Sequence, residues 1–137
     1  MRNFKIKLLF PPSLYYQAYT IYKSPVFPYG LGVLTAFLRN NNYNVVLEDL
    51  LVKIEANNKN LWFSPRLGVN LNVLRCEKEI IDYICEKSHN KKINKFTDQI
   101  TSLSNCEGHD LIGISVMDYS SFLSTLLLCN LITQSEG

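Results

Sequence analysis

Hydroxyl, carboxylate and phenol groups stand close together in Ser115-Val116-Met117-Asp118-Tyr119, at the end of an apolar run. A strand-end serine such as Ser115 either hydrogen-bonds a bound ligand or is satisfied by nearby backbone, and Asp118 or Ser120 is equally suited to capping a following helix. Tyr15, Tyr16, Tyr19 and Tyr22 follow Pro11-Pro12-Ser13-Leu14. Each offers a broad apolar face with one polar tip, fit to stack on a flat ligand or to cover a sheet edge. No Ser/His/Asp or Cys/His set has a spacing that supports nucleophilic catalysis. Cys76, Cys85, Cys106 and Cys129 are widely spaced, without a CxxC or a Cys/His pairing at zinc spacing, and read as reduced thiols of a cytosolic protein. Gly30 and Gly32 form only part of a dinucleotide fingerprint and do not directly follow a strand, so close helix approach is their expected use. Asp49 stands where nucleotide-binding folds hold a ribose, but lacks the glycine loop that reading needs. Lys87, His89, Lys91, Lys92 and Lys95 read as a solvated basic surface.

These residues sit in a chain of 137 residues, long enough for one domain or part of one. Hydrophobic residues make up 47% and charged residues 19%, which fits a packed core and excludes wholesale disorder. A formal charge of +2 argues against nucleic acid or an acidic membrane as the main partner. The longest apolar stretch, Phe122 to Ile132, is interrupted by Ser124, Thr125 and Asn130 and falls short of the roughly 20 residues of a membrane helix. With no signal-like segment at Met1-Arg2-Asn3-Phe4-Lys5, the expectation is a soluble, cytoplasmic protein.

Phe4, Ile6, Leu8 and Phe10 alternate with Lys5, Lys7 and Leu9, predicting a first strand that Pro11-Pro12 forces out of the sheet. Val33, Leu34, Phe37 and Leu38 form a helical stripe between Pro28 and Asn40-Asn41-Asn42, and Val45-Val46-Leu47-Glu48 is a second strand. Strand, helix and strand in this order predict a right-handed parallel βαβ unit. Residues 50–72 read as a long connection. Val73 to about Lys87, and a segment carrying Phe96, Ile100 and Leu103, predict two helices broken near Asn90. Leu111-Ile112-Gly113-Ile114-Ser115-Val116-Met117 predicts a third strand covered on both faces, and Leu123, Leu126, Leu127 and Leu131 mark a last helix. The fold class is α/β: the first three strands of a doubly wound parallel sheet.

Two blocks in this order resemble a known family. Pro28-Tyr29-Gly30-Leu31-Gly32-Val33-Leu34-Thr35-Ala36-Phe37-Leu38-Arg39, after the Pro11-Pro12 exit and before Tyr43-Asn44-Val45-Val46-Leu47-Glu48-Asp49-Leu50, is similar to the opening of the N-terminal cobalamin-binding domain of B12-dependent radical SAM enzymes. Asp110-Leu111-Ile112-Gly113-Ile114-Ser115-Val116-Met117 resembles that family's D-x-[VI]-G-[IL]-S-x-[ML] strand. The resemblance covers roughly residues 3 to 50 and 105 to 133. It implies a flavodoxin-like (Rossmann-like) parallel sheet, here incomplete, with the first three strands in order 2-1-3. Cobalamin would lie across the C-terminal strand ends, where open α/β sheets bind ligands. On this resemblance Pro12, Ser13, Leu14 and Tyr15 of the first loop, Gly30 at the helix start, and Ser115, Val116, Met117, Asp118 and Tyr119 line the cofactor. Ser115 would meet the nucleotide tail.

Departures from the family pattern shape the expectation. D-x-H-x-x-G is absent, and neither His89 nor His109 lies in the first loop, which implies cobalamin held without a protein imidazole. C-x-x-x-C-x-x-C is absent too, so no radical SAM iron–sulfur cluster forms on this chain, and it is not expected to be catalytic alone. The fourth and fifth strands of the family fold are expected past Gly137. Residues 1–137 therefore read as a single partial domain, whose third strand is an apolar edge open to a barrel domain, a partner or a second copy. The rival readings are a non-catalytic α/β interaction module that has lost cofactor binding, and a nucleotide or flavin binder.

Overall fold

The computed structural model describes residues 4–14, 29–50, 71–86 and 88–135. Three strands form one sheet: β1 (Lys5–Phe10), β2 (Asn44–Asp49) and β3 (Leu111–Ile114). Their order is β2-β1-β3, and both neighbours run parallel to β1. The register sets Leu8 beside Leu47 on one side and beside Gly113 on the other. The mixed α/β class read from the sequence and the 2-1-3 parallel order implied by the resemblance are thus present.

Helix α1 (Tyr29–Asn40) crosses from β1 to β2. It ends as the asparagine run predicts: Asn42 takes a left-handed φ of 64°, a conformation asparagine tolerates. Its buried arc differs from the predicted stripe. Leu31, Leu38 and the buried Thr35 face Ile6, Leu8 and Val45, whereas Val33, Leu34 and Phe37 are exposed. Thr35 is satisfied inside by donating to the Leu31 carbonyl at 2.7 Å.

A 3-10 turn (Leu71–Arg75) precedes α2 (Glu77–Glu86), α3 (Lys91–Ser104) and α4 (Tyr119–Ser135). The helix expected from Val73 therefore starts later, with Val73 and Leu74 buried in the turn instead. The break near Asn90 is present, and its cause is local. The Asn90 side chain accepts from the N–H groups of Lys92 and Ile93, and Asn105 closes α3 at φ 38°. These elements bury the larger core, where Leu9 and Phe10 meet Ile80, Phe96, Ile100 and Leu127. Of the predicted connection, residues 51–70 lie outside the described residues.

β3 is shorter than predicted: it stops at Ile114, and Ser115, Val116 and Met117 belong to the turn that follows. It is also not covered on both faces, because Leu111 is exposed and Ile112 to Ile114 are only half-buried. Among the described residues no strand lies outside it.

Lys7 is buried despite its charge. It sits in the central strand on the face of Leu9, with its Nζ 2.9 Å from Glu48 Oε2 and donating to the Asn105 carbonyl at 2.7 Å. Glu48 is two positions along β2 from Val46, the register partner of Lys7, so the pair bridges two strands diagonally. A buried ammonium needs such partners.

Candidate functional site at the C-terminal strand ends

Parallel strands all exit on one side, and here β1 and β3 are adjacent. Helix α1 packs on one face of the sheet and α4 on the other, and the described exit of β1, as far as Leu14, lies on the face of α4. Open α/β sheets bind ligands in a crevice at this end of the strands.

One lip of the crevice is braced by hydroxyl groups. The prolines turn the chain out of the sheet, and Pro12 and Ser13 are buried. Ser13 Oγ donates to Asp118 Oδ2 at 2.6 Å, and Ser120 Oγ donates to Asp118 Oδ1 at 2.6 Å. The two hydroxyl oxygens are 2.9 Å apart, and the Leu14 N–H donates to Ser120 Oγ at 2.9 Å. Ser124, one helical turn after Ser120, donates to the Pro12 carbonyl at 2.6 Å. Residues more than 100 positions apart are joined in this way.

Asp118 is also the N-cap of α4. Its Oδ1 accepts from the Ser121 N–H at 2.9 Å, while Ser121 Oγ accepts from the N–H groups of Met117 and Asp118 at 3.0 and 2.9 Å. This reciprocal arrangement satisfies donors that a helix start leaves over. Burial pushes the Asp118 carboxyl up, but the Ser120 and Ser13 hydroxyls and the Ser121 and Ser120 N–H groups outweigh it and hold the pKa below its usual value. Asp118 is thus an anchored anion. Ser13 has no exposed surface and no neighbouring imidazole, so it is not arranged as a nucleophile.

The other residues expected to line the cofactor have separate surroundings. Ser115 is half-buried beyond the end of β3, its N–H donating to the Leu9 carbonyl at 3.0 Å. Val116, Met117 and Tyr119 each leave about half of their surface exposed. The Tyr119 ring lies 6.2 Å from that of Phe122, and a hydrogen bond to Glu77 pushes its phenol pKa up. Gly30 is exposed in the first turn of α1, with open space beyond its α-carbon. Leu14 packs against the large core. Tyr15, with Tyr16, Tyr19, Tyr22 and Phe27, lies outside the described residues. The structure joins Ser13 to Asp118 directly and Leu14 and Pro12 to Ser120 and Ser124, and it leaves Val116, Met117 and Tyr119 as an apolar rim.

Sequence reasoning missed Ser124 and the pairing role of Ser120. Their spacing of four, which sets two small hydroxyls on one helix face, is the signal available for them. Both histidines are elsewhere. His109 precedes β3, with Nδ1 3.1 Å from the Glu107 carbonyl, and His89 contacts Asn94 before α3. No group of three metal-ligating side chains occurs among the described residues. No described helix is long and apolar enough to cross a membrane.

As a seat for a corrin ring, the rim supplies exposed apolar surface from Val116, Met117 and Tyr119, with the Ser115 hydroxyl beside them. Such a set fits a broad, mainly apolar macrocycle edge or face. It supplies no axial imidazole. Comparison with protein-family models, with curated proteins and with solved structures finds no match.

Proposed function

We infer that this chain is a cobalamin-binding α/β unit, flavodoxin-like in plan, of the kind that opens B12-dependent radical SAM enzymes. The observation that carries this reading is the adjacency of β1 and β3 as parallel strands, which brings their exits to one end of the sheet. Val116, Met117 and Tyr119 would contact the macrocycle, and Ser115 would donate to the nucleotide tail. The brace of Ser13, Asp118 and Ser120 holds the lip of the crevice and turns its own polar atoms inward. Bound cobalamin supplies a cobalt centre suited to methyl transfer. The chain's residues bind and orient it and exclude water from one side, while the radical chemistry belongs to a barrel domain outside these residues.

A second reading has its own support. Every polar atom of the Asp118 brace is matched within the brace, as in a non-catalytic interaction module built on the same scaffold. Incubation with hydroxocobalamin followed by gel filtration separates the two. Corrin absorbance co-eluting with the protein is expected, and protein eluting free of corrin favours the interaction module. Binding of FMN or ATP with cobalamin inert would support a flavin or nucleotide site instead.

A further inference from the structure

We draw no further inference here: the strongest candidate, the exposed apolar face of α1 at Tyr29, Val33, Leu34 and Phe37, is a surface patch for which nothing among the described residues shows what covers it.

Discussion

Asp118 is the residue on which the crevice lip depends, because it accepts from two serine hydroxyls and from backbone N–H groups while starting α4. Asp118→Ala removes the cap and the carboxylate that accepts from Ser13 and Ser120, so a loss of about 2 kcal/mol is expected in chemical denaturation, with Asp118→Asn losing less. The carboxyl titrates below its ordinary value of 3.8 in the folded chain. The unfolded chain therefore takes up the proton first as pH falls. The stabilisation is complete above the unfolded value and is lost as pH drops toward and through the folded one. Acid unfolding of wild type should show this component below about pH 4, and Asp118→Asn should lack it. Lys7 makes a second case. Lys7→Met takes away the ammonium facing Glu48 and should cost about 3 kcal/mol, most of it recovered in Lys7→Met/Glu48→Leu, as read from a double-mutant cycle.

At the scale of elements, α4 is fastened to the β1 exit by side chains and not only by apolar packing. Ser124 donates to the Pro12 carbonyl from a fully buried position, so Ser124→Ala should cost about 1 kcal/mol and speed amide exchange at Leu14. What could be read in advance at this scale follows the range of the forces. The exit at Pro11-Pro12, the break at Asn90 and the left-handed turn at Asn42 rest on single residues and their nearest peptides, so the sequence displays them. The buried arc of α1 does not. Its apolar residues span most of the helix circumference, and only the position of the sheet decides that Leu31 and Leu38 go inside while Val33 and Phe37 stay out. β3 reads longer than it is for a related reason: Val116 and Met117 continue an apolar run, but β1 leaves the sheet at Pro11, and its last bond toward this segment is the Ser115 N–H on the Leu9 carbonyl. The brace is illegible as a unit in the sequence because Ser13 and Asp118 meet only once the sheet has formed.

For the whole molecule, one parallel order, β2-β1-β3, decides where ligand chemistry has room. It brings the Pro12–Leu14 exit, the Ser115–Tyr119 turn and the first turn of α1 to the same end of the sheet, and it sends both histidines elsewhere. The most direct test is a hydroxocobalamin titration followed by absorbance, comparing wild type with Met117→Glu, whose exposed position spares the fold. A saturable spectral change in wild type, weakened at least about tenfold by the substitution, is the predicted result. No saturable change in wild type, or the same affinity in both proteins, would contradict cobalamin binding at this crevice.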